Sequence, residues 1–164
     1  MTSKIKKSPR LKKTSERGLT LVELIVAFTI LSLLTTMAVP LARYRVRRDQ
    51  ERNLRLALDQ IRKAIDDYKD ASNAGKIEVK LGTDGYPESL DLLVQGVKLL
   101  QSADGKKLKF LRRIPIDPMT NTTDWGKRST QDDTDSQSWG GQNIFDVYTK
   151  SMDRARDGTP YSSW

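Results

Sequence analysis

The chain has 164 residues, a length typical of one domain or of one domain with an appended segment. It contains no Cys and no His, which excludes disulfide scaffolds, thiolate or imidazole zinc sites, cysteine nucleophiles and Ser-His-Asp triads. Any bound metal must therefore be held by oxygen atoms, the ligands that Ca²⁺ and Mg²⁺ prefer. We expect no enzymatic activity, because no paired carboxylates occur in a recognisable catalytic setting.

The net charge of +8 is concentrated at the N-terminus. Residues 1–18 hold seven basic side chains and one acidic side chain, so this short tail carries +6 of the total. The rest of the chain is close to neutral, and we therefore expect no nucleic-acid partner.

Residues 19–42 are the most apolar part of the chain, and Glu23 is their only charged residue. As a helix, the uncharged stretch 24–42 is about 28 Å long, close to the thickness of a bilayer's hydrocarbon core. It is longer than the apolar region of a cleaved secretory signal, and Pro40 disrupts the small-residue cleavage pattern that begins at Ala38. We therefore predict a retained transmembrane helix, with its N-terminus in the cytoplasm.

Glu23 allows two interpretations. In the first, its carboxylate simply reaches the lipid headgroups from the end of the span. The second rests on its context: a basic tail is followed by Gly18, Leu19 and an apolar run, in the order RGLTLVE. This pattern resembles the class III signal of type IV pilins and type II secretion pseudopilins.

The resemblance implies cleavage by a prepilin peptidase between Gly18 and Leu19, followed by N-methylation of Leu19. It also implies that Glu23 meets the N-terminal amine of a neighbouring subunit, and that Pro40 is a helix-bending proline.

Beyond the span, apolar residues recur at steps of four, three, four and three. These are Leu54, Leu58, Ile61, Ile65 and Tyr68. The spacing predicts an amphipathic helix. We expect one helix over about 19–71, bent near Pro40 because the proline ring removes a backbone hydrogen bond.

The remaining sequence predicts a short helix and several strands. The helix follows residues 86–89 and ends near residue 95; the strands cover 97–101, 107–113 and 144–150, with a further candidate at 125–130 and a turn at 103–105. The predicted class is α+β, with a long N-terminal helix (a transmembrane half and an amphipathic half) packed on a small antiparallel β-sheet in a pilin-like fold.

Four short motifs extend the resemblance along the chain. They are Tyr86-Pro87, the RIPIDP sequence at 113–118, Trp125-Gly126 and the FDVY sequence at 145–148. Together they resemble the major pseudopilin of the type II secretion system, its G-subunit type. The implied organisation is a removed basic leader (1–18), a transmembrane and filament-core helix (19–42), and a periplasmic α+β domain (43–164).

The implied function is structural: processed subunits would leave the bacterial inner membrane as a homopolymer, the periplasmic pseudopilus. Its implied partners are prepilin peptidase, minor pseudopilins, an inner-membrane assembly platform with its ATPase and, indirectly, the secretin channel. Two alternatives stay open: a pilin of a type IV or competence pilus, and a membrane-anchored Ca²⁺-binding periplasmic module that never polymerises.

The resemblance also implies a Ca²⁺ ion in the loop after the last strand. The matching candidate ligands are Asp153 and Asp157, with Gly158 at the sharp turn and the Ser162 hydroxyl as an additional ligand. In the alternative interpretation, the two aspartates are solvated loop residues. A second acidic stretch, residues 132–137, lacks the glycine and the glutamate that an EF-hand requires, and we expect a solvated loop there.

Overall fold

The computed structural model describes residues 20–101 and 105–164, and of residues 37–42 it describes only the backbone. The helices are α1 (Leu21–Asn73), α2 (Leu90–Gln95) and a 3₁₀ helix (Tyr161–Ser163); the strands are β1 (Val97–Lys98), β2 (Lys107–Leu108), β3 (Gly126–Arg128) and β4 (Asp146–Tyr148). The α+β prediction is confirmed. The chain divides into two compact units, one ending at Arg43 and the other comprising Tyr44–Trp164.

The first unit contributes the N-terminal part of α1. The assigned helix continues through residue 40, and the predicted bend at Pro40 stays a prediction because that side chain lies outside the described residues. Within the described part of the chain, no helix is both long enough and apolar enough to cross a membrane. The predicted span includes Leu19 and the side chains of 37–42, which are not described, and the predicted leader 1–18 likewise lies outside the described residues.

The second unit is built on the C-terminal part of α1. The predicted apolar stripe is confirmed: Leu54, Ile61 and Ile65 are fully buried, and Tyr68 is nearly so. The stripe belongs to one hydrophobic core that also contains Leu93 of α2 and, from the C-terminal half of the chain, Trp125, Ile144 and Val147. Burial of this one stripe against the rest of the unit stabilises the helix more than its intrinsic propensity does.

The strands form two separate antiparallel pairs in the described residues, where the sequence predicted one small sheet. Val97 lies opposite Leu108 in the first pair, and Lys127 lies opposite Val147 in the second. All four strands are shorter than predicted. In the first pair the cause is a change of partner, because the N–H groups of Phe110 and Leu111 both donate to the Leu93 carbonyl, at 3.0 and 2.9 Å.

The second strand pair depends on a glycine. A Cβ atom at Gly126 would lie within 2.6 Å of three ring atoms of Tyr148, so only glycine lets this ring lie flat on β3. The guanidinium of Arg128 lies 4.2 Å from the centre of the same ring, on which it makes a cation–π contact. This close packing explains why a glycine follows Trp125 in the sequence.

An ion-pair network attaches α1 to this strand pair. Arg62 donates from Nε to Asp146 Oδ1 at 2.7 Å, and Arg128 Nη1 lies 3.4 Å from the other carboxylate oxygen. Arg62 also donates to the carbonyls of Val147 and Trp164. The helix, β4 and the C-terminal turn are thus connected through one arginine.

Candidate functional site

The N-terminal part of α1 presents apolar side chains on every side. The exposed ones are Leu21, Val22, Leu24, Ile25, Val26, Phe28, Ile30, Leu31, Leu33 and Leu34. Leu21 is 75% exposed, and even the least accessible of them, Leu24, is 47% exposed. Soluble proteins rarely expose a continuous apolar surface of this extent unless it contacts a membrane or another protein.

The threonine hydroxyl groups in this stretch donate hydrogen bonds within the helix. Thr29 donates to the Ile25 carbonyl at 2.7 Å, and Thr35 donates to the Leu31 carbonyl at the same distance. Because each hydroxyl bonds to the carbonyl one turn earlier, it needs no water partner. These threonines are therefore compatible with an apolar environment around the helix.

Glu23 lies in the first turn of α1 and is exposed. Its backbone N–H donates to the Thr20 hydroxyl at 3.3 Å, and Leu24 N–H donates to the Thr20 carbonyl at 3.1 Å. Thr20 is therefore the N-cap and Glu23 the third helical residue, which is the spacing of a capping box, although the side chain of Glu23 does not return the bond. In the described residues, the Glu23 carboxylate has no ion pair and no hydrogen bond. The sequence interpretation missed the role of Thr20, although the T-x-x-E spacing is its signal.

The predicted processing residues Gly18 and Leu19 lie outside the described residues. The helix that follows them begins at Leu21.

A family profile described as "Prokaryotic N-terminal methylation motif" matches residues 13–39. The chain carries a prepilin-type signal. The match covers the end of the basic tail, both sides of the predicted cleavage point and most of the apolar stretch. It indicates a type IV pilin-like or pseudopilin substrate of prepilin peptidase, and it implies pilus-like polymerisation. No curated protein and no solved structure matches the chain.

The C-terminal loop holds the two candidate metal ligands, and one Asp157 carboxylate oxygen and several backbone carbonyls of this loop and of the turn after it already have partners. The Asp157 carboxylate accepts hydrogen bonds from the backbone N–H and the hydroxyl of Thr159, and these bonds lower the pKa of Asp157 below its usual value. The Asp153 backbone carbonyl accepts from Tyr161 N–H at 3.2 Å. The Ser162 carbonyl accepts from Arg128 at 3.2 Å.

Guanidinium groups occupy two other carbonyls of this loop. Arg154 donates to the Gly158 carbonyl at 2.9 Å, and Arg47 from α1 donates to the Arg154 carbonyl. No group of three or more acidic side chains that could hold a metal occurs in residues 20–101 and 105–164. This arrangement does not fit Ca²⁺, because positive guanidinium groups lie where the ion would need free oxygens. The predicted ion itself stays a prediction.

The second acidic stretch contains a structural aspartate. Asp132 accepts hydrogen bonds from Ser129 N–H at 2.7 Å and from Gly140 N–H at 3.1 Å. These backbone donors lower the pKa of Asp132. Asp133 and Asp135 are exposed, in agreement with the expected solvated loop.

The RIPIDP motif contributes a buried carboxylate that the sequence interpretation did not single out. Asp117 is fully buried and accepts hydrogen bonds from the Thr149 hydroxyl at 2.5 Å, from Met119 N–H at 2.8 Å and from the Thr120 hydroxyl at 3.1 Å. Trp125 donates from Nε1 to the Pro115 carbonyl at 2.9 Å. The motif therefore joins three loop segments in the core of the second unit, and its role in this chain is structural.

Proposed function

We propose that this chain is the major structural subunit of a type II secretion pseudopilus. The observation that carries the proposal is the all-round apolar surface of residues 21–36, which lies within the methylation-motif match and contains one acid, Glu23. An apolar helix without a polar face has no place in the core of a small soluble domain. It suits a segment that is held first in lipid and later among copies of itself.

Processing would give Glu23 its partner. Cleavage after Gly18 removes the +6 of charge on the leader and creates an α-amino group on Leu19. In an apolar medium a carboxylate and an ammonium attract each other strongly, whereas each alone is costly to bury. Pairing between neighbouring subunits would therefore couple cleavage, release from the bilayer and subunit register.

The proposed location follows from the same scheme. The subunit would first lie in the bacterial inner membrane, with its N-terminus in the cytoplasm and the second unit in the periplasm. Minor pseudopilins, an assembly platform with its ATPase and a secretin channel would be its partners. The subunit itself performs no catalysis, and no step of the scheme passes through a metal ion.

Motifs in the second unit support the narrower assignment. Tyr86, Asp117, Gly126 and Tyr148 belong to the sequence patterns that resemble the major pseudopilin, and each has a definite packing or hydrogen-bonding role. Tyr86, for example, contacts the Phe145 ring edge-on at 5.4 Å between ring centres.

Two variants test the proposal at separate steps. Replacement of Gly18 by Trp is expected to leave the leader uncut, because a bulky side chain blocks close approach of the backbone to the peptidase. Glu23→Ala is expected to be cut normally but to form no filaments. Intact mass reports cleavage, and electron microscopy of sheared periplasmic material reports filaments.

The matched control is Glu78→Ala, which removes an exposed acid from the second unit and should leave both steps intact. Normal filaments from Glu23→Ala would contradict the pairing argument. An uncut Met1 start in assembled material would contradict the whole proposal. A non-polymerising anchor would tolerate both the Gly18 and Glu23 changes.

A further inference from the structure

A cleft of about 400 Å³ lies in the second unit beside the first strand pair. Tyr68 of α1 lines it together with Val79, Tyr86 and Val97, and these side chains, which are buried or half-buried, form its floor. Its rim is lined by charged and mostly exposed side chains of the connection after α1 and of the strand pair. The volume lies within the range of clefts that hold ligands in proteins. An apolar floor with a charged rim suits a ligand that is apolar on one side and charged on the other.

The hydroxyl of Tyr68 offers a hydrogen-bond donor at this floor. Tyr68 is only 5% exposed, and in the described residues its hydroxyl makes no hydrogen bond. No side-chain polar atom of the described residues is both fully hidden and unpartnered, so this hydroxyl is reached through the cleft that Tyr68 lines. Burial raises the pKa of Tyr68, and the nearby Glu88 carboxylate raises it further, which keeps the O–H group protonated. An acceptor atom in the cleft would satisfy this donor, which is costly to leave unpaired.

Two lysines of the rim face each other across the strand pair. Lys98 lies directly opposite Lys107, so both side chains project from the same face, with their Cβ atoms about 4.5–5.5 Å apart. Like charges in this position destabilise a strand pair. Across the described residues, neither lysine takes part in an ion pair or a hydrogen bond. An anionic group between the two ammonium groups would relieve their repulsion.

The other charges near the cleft leave this side of the second unit positive. Lys80 and Glu88 on the rim are paired at 3.1 Å, and Glu78 is the one acid of the rim without an ion pair in the described residues. Residues 97–113 contain six basic side chains and one acidic side chain, whereas the rest of the second unit contains 15 basic and 18 acidic ones. The excess positive charge of the unit is therefore concentrated at the strand pair that borders the cleft.

We propose that this cleft binds a short acidic peptide segment of another protein. One apolar side chain of the peptide packs on the floor, and a neighbouring carboxylate lies between Lys98 and Lys107. A backbone carbonyl of the peptide accepts a hydrogen bond from the Tyr68 hydroxyl. The inference goes beyond the proposed function and does not depend on it, because the cleft residues lie outside the apolar stretch 21–36.

A peptide fits this cleft better than a lipid surface or a nucleic acid does. The phosphate groups of a bilayer surface bring no apolar group to a concave floor. The bases of a single strand bind by stacking on exposed ring faces, and Tyr68 is nearly buried. The Tyr86 ring already contacts Phe145 edge-on and Lys69 through a cation–π contact. The unpaired Glu78 on the same rim also weakens the attraction for a polyphosphate backbone.

Peptide binding to the full processed chain tests this inference. The chain is held in nanodiscs of neutral phosphatidylcholine, so that no detergent fills the cleft and no anionic lipid competes. The probe is an N-acetylated peptide of sequence Asp-Glu-Leu-Asp-Glu with a fluorophore at its C-terminus, and its binding is followed by anisotropy. We expect it to bind about tenfold more tightly than the peptide with Gly in place of Leu, because burial of one leucine side chain is lost. The peptide with Lys in place of each acid should not bind.

Three variants of the chain identify the groups that bind the peptide. Lys98→Glu combined with Lys107→Glu should abolish binding of the acidic peptide and allow binding of the Lys peptide. Tyr68→Phe keeps the buried ring and removes only the hydroxyl, so binding should weaken about three- to tenfold. Glu78→Gln removes an unpaired acid from the rim and should tighten binding.

The matched control for the double lysine variant places the same charge change elsewhere. Arg48→Glu combined with Arg52→Glu alters two exposed positions of α1 outside the cleft and should leave peptide binding unchanged. The melting temperature of each variant is measured in parallel, so that loss of binding is attributed only to folded chains. If the double lysine variant does not fold, Tyr68→Phe and the three peptides still decide the question.

The outcomes separate this inference from the proposed function. Equal binding of the Leu and Gly peptides would mean that charge alone attracts the ligand, and it would overturn the proposed site. Displacement of the peptide by an equal concentration of oligothymidylate would indicate a nucleic-acid ligand instead. Unchanged binding by Tyr68→Phe would overturn the assigned hydrogen bond and, with it, this position of the peptide. A wild-type chain that binds the peptide but never polymerises would overturn only the proposed function, and Glu23→Ala should bind the peptide as wild type does.

Discussion

Two parts of the same helix are rich in apolar residues, and the fold treats them differently. Residues 21–36 are apolar all round, and Leu31 is 63% exposed. Residues 54–68 bury all of their apolar side chains except Leu56 on one side of the helix, and Ile61 is completely buried. The difference shows that the second unit is complete without the first stretch. An exposed apolar surface such as that of residues 21–36 is typical of a segment that contacts a bilayer or another polypeptide.

A pair of truncations sharpens this comparison and should give the largest effect on stability. Ile61→Ala leaves a cavity in the core and is expected to lower the free energy of unfolding by about 2–5 kcal/mol. Leu31→Ala removes similar apolar surface from an exposed position and should leave unfolding of the second unit unchanged. Denaturant unfolding of the detergent-solubilised chain measures both. A loss of comparable size in Leu31→Ala would contradict the distinction between the two parts.

Asp117 and Glu23 are both acidic residues among apolar ones, and they differ in the same way as the two parts of the helix. Asp117 is buried and receives its hydrogen bonds from its own chain, whereas Glu23 has no such partner in the described residues. Asp117→Ala would leave the Thr149 hydroxyl and Met119 N–H without an acceptor, which is expected to cost about 1–3 kcal/mol of unfolding free energy. Glu23→Ala should leave unfolding of the second unit unchanged.

Unfolding measured for the two variants side by side checks this prediction. Equal and large losses would mean that Glu23 also serves the fold, and they would weaken its proposed role between subunits.

The C-terminal loop gives a smaller contrast, between a metal site and an arginine contact. We expect added Ca²⁺ to leave the melting temperature unchanged, because the Gly158 and Arg154 carbonyls already accept from guanidinium groups. Arg47→Ala should lower the melting temperature, since Arg47 also donates from Nε to the Tyr161 hydroxyl at 3.2 Å. Arg48→Ala is the matched control, because the neighbouring Arg48 is exposed on the same helix.

Thermal melting with Ca²⁺ and with a chelator distinguishes the two arrangements. A rise in melting temperature that Asp157→Ala abolishes would contradict the arginine contact and would support the calcium ligands predicted from the sequence.

The sequence predicted the long helix well because its signals are local and repetitive. The stripe through Leu54 and Ile61 repeats at helical spacing over several turns, and the helix expected to end near residue 71 ends at Asn73. Strand lengths were predicted less well. The first strand pair ends before Phe110 and Leu111 because their N–H groups donate to the Leu93 carbonyl of α2. The sequence of the strand itself does not indicate this partner.

Site residues follow the same division. Glu23 could be identified from the sequence because it is the only charged residue in a long apolar stretch, and that signal is local. The environment of Asp157 was not, because the Arg47 donor to this loop comes from a residue more than 100 positions away. Asp117 was missed for the same reason, since its Thr149 partner lies on the chain after β4. Long-range partners decide whether an aspartate is a ligand, a cap or a buried acceptor.

The acidic stretch after β3 offers the smallest test, within one loop. Asp132 accepts two backbone hydrogen bonds, and its pKa is lowered by them, whereas the Asp133 carboxylate has no such donors in the described residues. A carboxyl group whose pKa falls on folding stabilises the fold above its usual pKa, and this contribution is lost as the pH falls through the lower, folded value. We therefore expect Asp132→Ala to lower the melting temperature slightly at pH 7, and the difference from wild type to shrink below about pH 4. Asp133→Ala should match wild type at both pH values. If the melting temperature of Asp132→Ala stayed equally far below that of wild type in acid, the charge of this carboxylate would not be what stabilises the loop.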